Sequence, residues 1–148
     1  MEQMHAHILA VGGVVYRCTS HRQIQLLLIK KRGGFWTLPK GRIKPDENPL
    51  AAVQREVFEE TGLAGTVEEQ IQEVSYEIVK HGKLCHKIVT YYLFRAEAGT
   101  LRPDRHEGIV QVRWFPIPHA LNRIQRERVR EIAHHASTLL QHVQPRYY

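Results

Sequence analysis

Apolar residues recur at two different spacings along this chain, and each spacing predicts a kind of element. Stretches that are rich in β-branched residues or alternate between apolar and polar positions are typical of strands. We predict strands over residues 7–16, 24–31, 65–79, 86–96 and 109–115. The second strand is apolar enough to be buried on both faces and should pair with the first. The third and fourth should form a hairpin that turns at residues 81–83.

A helix is predicted over residues 49–61 by signals at both ends. Asn48 is a favoured N-cap, because its side-chain oxygen can accept from a free amide of the first turn, and the proline that follows has no amide to leave unpaired. Gly62 can adopt the left-handed conformation that closes a helix. The apolar positions inside the helix form a stripe that we expect to face the core: Leu50, Val53 and Val57.

Two further helical segments follow the last strand. Residues 118–123 predict a short helical turn, and residues 125–143 carry apolar residues at helical spacing. Strands on both sides of one helix, followed by a closing helix, predict an α/β fold, an α/β/α sandwich around a mixed β-sheet. A chain of 148 residues suits one hydrophobic core, so we expect a single domain over residues 1–148.

Three carboxylates of the predicted helix share one side. Glu56, Glu59 and Glu60 fall within an arc of roughly 100° when each residue advances the helix by about 100°. Like charges at such spacings cost about a few tenths of a kcal/mol per pair, and Arg55 can answer only part of the negative charge. A hard divalent cation such as Mg²⁺ would answer the rest. Taken alone, the cluster is more typical of a solvated acidic face.

The surrounding residues change that balance, because together they resemble the Nudix box. The matching positions lie within residues 41–63 and are Gly41, Glu47, Arg55-Glu56-Val57, Glu59-Glu60 and Gly62-Leu63. The resemblance implies a MutT-like Nudix hydrolase that cleaves the pyrophosphate linkage of nucleoside diphosphates joined to another group. It also implies dependence on Mg²⁺, with Mn²⁺ as a substitute.

The resemblance implies roles for the residues of this box. We expect Glu56 and Glu60 to bind the metal directly, Glu59 to bind it directly or through water, and the Gly41 carbonyl to complete the site. Arg55 should pair with Glu47 or Glu59 and hold the cluster in shape. Glu60 or Glu59 should act as general base, in preference to Glu107.

Glu107 is an expected additional metal ligand or base. Similar enzymes often carry a glutamate just before the last strand, where Glu107 stands. They usually have a second glutamate nearer the tryptophan, and here Gln111 occupies about that place. The departure leaves the role of Glu107 open.

The substrate is suggested by residues before and after the box. Pro39-Lys40-Gly41 is similar to the entry found in Nudix enzymes that act on dinucleoside polyphosphates, and in some that act on nucleoside triphosphates. Lys40 is therefore a candidate phosphate contact, with Tyr76 and Lys87 as weaker candidates. Trp36 could form the floor of a substrate pocket or could be a core residue.

A diadenosine polyphosphate is the substrate that we expect first. The alternatives are an oxidised nucleoside triphosphate of the kind that MutT removes, a diphosphoinositol polyphosphate, and an RNA 5′ end, which we do not favour. A Nudix module that senses a nucleotide without cleaving it is the non-enzymatic alternative. Its hallmark would be a degraded box, whereas this box retains every carboxylate.

The basic surface fits an anionic substrate. The formal net charge is +6, and a basic rim around an acidic site would steer polyphosphates toward it. A run of arginines late in the chain could contact nucleic acid but is more typical of a solvated helix face: Arg123, Arg126, Arg128 and Arg130. We expect no DNA partner.

The remaining composition predicts an ordinary cytoplasmic protein. Cys18 and Cys85 have no spacing typical of zinc and are expected to be free thiols. The sequence shows no secretory segment and no apolar run of membrane-spanning length, so we expect a cytoplasmic location and no membrane partner. The sequence does not discriminate between a monomer and a homodimer.

Overall fold

Seven strands form one mixed sheet in the computed structural model, which describes residues 6–141. The strands are β1 (Ala6–Cys18), β2 (Ile24–Lys31), β3 (Trp36–Thr37), β4 (Lys40–Arg42), β5 (Leu63–Lys80), β6 (Lys83–Gly99) and β7 (Ile109–Pro116). The helices are α1 (Pro49–Thr61), α2 (Ile117–Arg123) and α3 (Glu127–Leu140), and a short 3₁₀ turn spans Arg105–Glu107. The predicted strands are all present, and β5 and β6 form the predicted hairpin.

The sheet is mixed because β1 and β6 run parallel while the other pairs are antiparallel. The strand order is β3-β2-β1-β6-β5, with β4 also paired to β1 and β7 also paired to β2. The predicted pairing of the first two strands is confirmed, with Tyr16 opposite Leu26. The strand β6 therefore lies inside the sheet, between β1 and β5.

Helices cover both faces of the sheet. Val14 of β1 belongs to a core cluster that includes Ile132 and other residues of α3, whereas Val15 belongs to a second cluster with Val53 and Val57 of α1. Successive residues of a strand point to opposite faces, so the two clusters lie on opposite sides of the sheet. The predicted α/β/α sandwich is confirmed.

The helix α1 has the predicted bounds and caps. The Asn48 side chain accepts a hydrogen bond from the Ala51 amide at 2.8 Å, and Gly62 closes the helix in the left-handed conformation, with φ of 85°. Val53 and Val57 are buried as predicted, but Leu50 is 52% exposed, so the expectation that it faces the core is wrong. Angular position predicts which side of a helix is apolar, but not how much of its first turn the sheet covers.

The other boundaries differ modestly from the predictions. The two short strands β3 and β4 were not predicted, because each gains strand geometry only through pairing with β2 or β1. The last helix begins at Glu127, later than predicted, and Val143 lies outside the described residues.

A close backbone contact places β4 beside β1. The Gly13 amide donates to the Pro39 carbonyl at 3.0 Å, and a Cβ on Gly12 would lie 2.4 Å from a ring carbon of Tyr91. A larger side chain at position 12 would displace that ring. The paired glycines therefore let β4, which begins at Lys40, lie close against β1.

Two expectations from composition can be compared with the structure. Cys18 is exposed, Cys85 is buried, and both are free thiols, as predicted. Among residues 6–141, no helix combines the length and the apolar character that crossing a membrane requires.

Candidate active site

Arg55 lies at the centre of an acidic cluster, which we define as Glu47, Glu56, Glu59 and Glu60. Its guanidinium donates to Glu47 through two nitrogens, at 2.7 and 2.8 Å. It also donates to Glu56 at 2.7 Å and to Glu59 at 3.1 Å. Arg55 thus pairs with Glu47 and with Glu59, and holds Glu56 as well.

The same contacts perturb the acid nearest to the arginine. The hydrogen bonds from Arg55, followed by one from the Lys44 amide, lower the pKa of Glu47 to about 2. The Arg55 guanidinium also donates to the Arg42 carbonyl at 2.9 Å, which ties the end of β4 to α1. Arg55 therefore acts as a positioning residue for the backbone and for three carboxylates.

Gly41 lies in direct contact with the carboxylate of Glu56. A Cβ built on Gly41 would lie 2.1 Å from the Glu56 carboxyl carbon, which is far inside van der Waals contact. Only glycine lets β4 approach α1 this closely without moving Glu56. The contact brings the Gly41 backbone and the Glu56 carboxylate together, as the predicted metal site requires.

Glu60 is the most enclosed carboxylate of the cluster. The residue is 2% exposed, and its Oε1 accepts from the Lys40 amide at 3.2 Å. Its Oε2 is buried and has no hydrogen-bond partner among the described residues, which is uncommon for a native polar atom. Burial raises the pKa of Glu60 to about 8; the charge of Lys31 opposes the shift and that of Glu56 adds to it.

The donor set fits a divalent cation. Within residues 6–141, no three His, Cys, Asp or Glu side chains are gathered as a metal-binding group. In this arrangement Arg55 donates to Glu56 and Glu59, and Glu60 accepts from the Lys40 amide. Hard oxygen donors, the type that Mg²⁺ prefers, are nevertheless present. They are the unpartnered oxygen of Glu60 and the carboxylate of Glu56, which lies against Gly41.

Glu107 lies at the end of the 3₁₀ turn and is exposed. Its carbonyl accepts from the Lys31 ammonium at 3.3 Å. Its negative charge contributes to raising the pKa of Glu60, although less than burial does. The structure thus brings Glu107 into electrostatic range of Glu60, and its role as a metal ligand stays a prediction.

A cavity of about 670 Å³ opens on the α3 side of the sheet. We call it the cationic cavity, because three of its lining side chains carry positive charge. The lining residues are Lys40, Val74, Tyr76, Val89, Tyr91, Arg126, Glu127, Arg128, Val129 and Glu131. Since the Lys40 amide contacts Glu60 and its side chain lines the cavity, Lys40 connects the cavity to the acidic cluster.

The predicted substrate contacts separate into two groups. Lys40 and Tyr76 line the cavity, and Lys87 lies opposite Tyr76 in the pairing of β5 with β6. Burial lowers the pKa of Lys40. Trp36 is only 8% exposed and packs edge-on against Phe115 at 5.0 Å between ring centroids. The structure places Trp36 in the core, outside the lining of the cavity.

Arg126 and Arg128 are the cavity residues that the sequence did not assign to the site. Both are exposed, as expected for a solvated helix face, yet both line the cavity. The Arg128 guanidinium lies 4.0 Å from the centroid of the Tyr76 ring. Only a contact between distant parts of the chain shows this, so no local pattern could have revealed it.

With this geometry established, comparisons with known proteins identify the family. The NUDIX domain model matches residues 6–136. This chain belongs to the NUDIX family. The acidic cluster and Gly41 are therefore parts of a Nudix box in a Nudix domain.

MutT-like proteins are among the relatives of this Nudix domain. A Mycobacterium tuberculosis protein named as the mutator protein MutT4 is 34% identical over 117 residues, which are 78% of this chain and 47% of that protein. An 8-oxo-(d)GTP phosphatase of Mycolicibacterium smegmatis is 26% identical over 78% of this chain and 37% of its own length. The chain spans about half the length or less of these two relatives.

Solved Nudix structures share the fold. A Caenorhabditis elegans Ap4A hydrolase in a binary complex has a TM-score of 0.73 and 23% identity, covering 90% of this chain and 98% of its own. The NUDIX domain of Shewanella oneidensis NrtR, complexed with ADP-ribose, has a TM-score of 0.75 and 20% identity, covering 93% and 90%. At these identities the likeness shows the fold alone.

Proposed function

We propose that this Nudix domain is a metal-dependent hydrolase that cleaves a phosphoanhydride bond of a nucleoside polyphosphate, with a diadenosine polyphosphate as the preferred substrate. The observation that carries the proposal is Glu60. It is the buried carboxylate of the acidic cluster, one of its oxygens has no hydrogen-bond partner among the described residues, and the other accepts from the amide of Lys40, which lines the cationic cavity. A fold that needed only stability would not keep such a group, because burying an unsatisfied polar atom is costly.

The carboxylates of Glu56, Glu59 and Glu60 and the Gly41 carbonyl would hold the metal, with Glu107 as a further donor. We propose Mg²⁺ as the ion, with Mn²⁺ as a substitute. When bound, a divalent cation supplies positive charge to the phosphoryl oxygens and makes water more acidic. This support comes from the type and placement of the oxygen donors.

The glutamates, Arg55 and Lys40 have distinct roles in the proposed reaction. Glu59 or Glu60 accepts the proton of the water that attacks phosphorus, and Glu59, whose side chain is 45% exposed, is the more open to water. Arg55 holds the carboxylates in position through the hydrogen bonds described above. Lys40 holds a phosphate of the substrate, since its side chain lines the cavity next to Glu60.

A diadenosine polyphosphate is supported by the cationic cavity and by the Pro39-Lys40-Gly41 entry. A substrate with phosphates on both sides of the cleaved bond needs positive charge away from the metal site as well as at it. Lys40, Arg126 and Arg128 supply that charge. The structural neighbour named as an Ap4A hydrolase makes this substrate a natural first test.

A second candidate is the hydrolysis of an oxidised nucleoside triphosphate. It is favoured by the relative named as an 8-oxo-(d)GTP phosphatase, whose similarity extends over 78% of this chain. This substrate also carries a run of phosphates. The two candidates differ in the products that they release.

The test is an assay of the purified protein with Mg²⁺ and with product identification. The substrates are diadenosine tetraphosphate, 8-oxo-dGTP, ADP-ribose, triphosphorylated RNA and a diphosphoinositol polyphosphate. Release of ATP and AMP from diadenosine tetraphosphate, faster than turnover of the others, is the expected result. Selective release of pyrophosphate from 8-oxo-dGTP would favour the second candidate, and no turnover of any compound would refute the hydrolase proposal.

A further inference from the structure

Three cationic side chains meet in the cationic cavity from distant parts of the sequence. Lys40 belongs to β4, while Arg126 and Arg128 lie at the beginning of α3. The contact between Arg128 and the Tyr76 ring links α3 to the hairpin of β5 and β6. The tertiary fold therefore concentrates positive charge beside the acidic cluster.

These cations differ from Arg55 in lacking anionic partners. No ion pair within residues 6–141 involves Lys40, Arg126 or Arg128, although Glu127 and Glu131 also line the cavity. Like charges that share a site repel one another, and a bound anion would relieve that repulsion.

The rest of the lining shows what size and type of anion would fit. Val74, Val89 and Val129 line the cavity together with the cations. A volume of about 670 Å³ lies within the ordinary range for ligand sites and exceeds what one phosphate group needs.

We propose that Lys40, Arg126 and Arg128 form an anion subsite that holds a linear run of phosphates of the substrate beyond the bond that is cleaved. The subsite adjoins the acidic cluster through Lys40, whose backbone amide donates to Glu60. It selects compounds with three or more phosphates over compounds with two. That the subsite binds the phosphates of a substrate rests on the proposed function. That it binds a phosphate chain at all does not depend on the proposed function.

The test measures binding without catalysis. Inorganic tripolyphosphate is titrated into the metal-free protein in a calorimeter, with EDTA present. The variant Arg126→Gln/Arg128→Gln is compared with Arg113→Gln/Arg123→Gln, which removes the same charge from exposed arginines outside the cavity lining. We expect the first variant to bind tripolyphosphate at least about tenfold more weakly than wild type, and the second to stay within about twofold.

Several results would overturn the subsite. One is failure of tripolyphosphate to bind wild type, and another is an equal loss of tripolyphosphate affinity in the two double variants. Inositol hexakisphosphate is titrated in the same way, and the third is that Arg126→Gln/Arg128→Gln loses affinity for this compact anion but keeps its affinity for tripolyphosphate. Arg126→Lys/Arg128→Lys should recover most of the affinity, because it restores the charge. Thermal unfolding of each variant checks that the fold is intact.

A kinetic comparison separates this proposal from the proposed function. With Mg²⁺, Arg126→Gln/Arg128→Gln should raise the KM for diadenosine tetraphosphate about tenfold and leave the KM for ADP-ribose nearly unchanged; an equal rise for both would overturn the selection of longer phosphate chains. If wild type hydrolyses no compound of the panel, the hydrolase proposal fails. The calorimetric result still decides whether the phosphate subsite exists.

Discussion

The acidic cluster and the cationic cavity are built in opposite ways. The cluster comes from residues 47–60, and Arg55 of the same segment balances part of its charge through ion pairs with Glu47, Glu56 and Glu59. The cavity takes its cations from β4 and α3, and no ion pair of the described residues neutralises them. The first region is thus organised within one segment, whereas the second forms only when distant segments pack together.

The largest expected effect is the loss of turnover on changing Glu60, the residue of the acidic cluster that contacts Lys40 of the cationic cavity. Glu60→Gln keeps the shape of the side chain but removes its negative charge, so turnover should fall by about 10²–10⁴-fold while the protein stays folded. Steady-state kinetics on the substrate that wild type hydrolyses fastest is the measurement. Glu69→Gln, an exposed carboxylate of β5, is the control and should remain near wild type; a Glu60→Gln enzyme of normal turnover would contradict the assignment.

The pH dependence of stability isolates the buried carboxylate from catalysis. In the metal-free protein the folded-state pKa of Glu60 is about 8, above its ordinary value of 4.5. The folded state therefore binds more protons between these values, and stability falls as pH rises. Between pH 5.5 and 7.5 wild type should lose up to about 2 kcal/mol more than Glu60→Gln in urea unfolding.

Added Mg²⁺ extends the same experiment. Because a cation would favour the ionised form of Glu60, Mg²⁺ should stabilise wild type more at pH 7.5 than at pH 5.5. If the free energy of unfolding changed with pH equally in wild type and in Glu60→Gln, the buried carboxylate would not be the cause of the pH dependence.

A smaller effect, on stability, should follow from changing Arg55, which forms ion pairs with three carboxylates of the acidic cluster. Arg55→Lys keeps the positive charge but loses the planar group that binds Glu47 through two nitrogens. We expect the free energy of unfolding to fall by about 1–2 kcal/mol, as measured in urea. Arg113→Lys, on an exposed position of β7, is the control, and equal stabilities of the two variants would remove the positioning role of Arg55.

The smallest expected effect lies in the cationic cavity. Tyr76→Phe keeps the ring beneath Arg128 and removes only a hydroxyl that interacts with Lys40. The KM for the best substrate should rise about threefold, or about 0.6 kcal/mol, with kcat nearly unchanged. Tyr92→Phe, in the core cluster on the other face, should leave KM unaltered, and a fall in kcat for Tyr76→Phe would place its hydroxyl at the reacting atoms instead.

Local signals predicted the frame of the molecule well. The caps at Asn48 and Gly62 placed both ends of α1, because capping depends on residues that are neighbours in sequence. Strand alternation placed the long strands within a few residues. The short strands β3 and β4 escaped prediction, since each forms only when a partner strand lies beside it.

The candidate site was predictable to the extent that it is local. The helical spacing of Glu56, Glu59 and Glu60 predicted that they share a side of α1. The resemblance to the Nudix box implied that the Gly41 backbone lies near them, and Gly41 does contact Glu56. The spacing could not show that Glu60 is buried while Glu59 is open, since that depends on how α1 is turned against the sheet. Trp36 illustrates the same difficulty, because a core aromatic and a pocket aromatic look alike in sequence.

The sequence by itself determined the helix α1, its caps, the positions of five of the seven strands along the chain, and the set of carboxylates, because these depend on periodicity and on spacing within one segment. Only the tertiary structure decided that Arg126 and Arg128 join Lys40 and Tyr76 around one cavity. The physical reason is that the sequence shows where charged residues lie along the chain, whereas an electrostatic site depends on the distances between them in space. The packing of α3 against the sheet sets those distances.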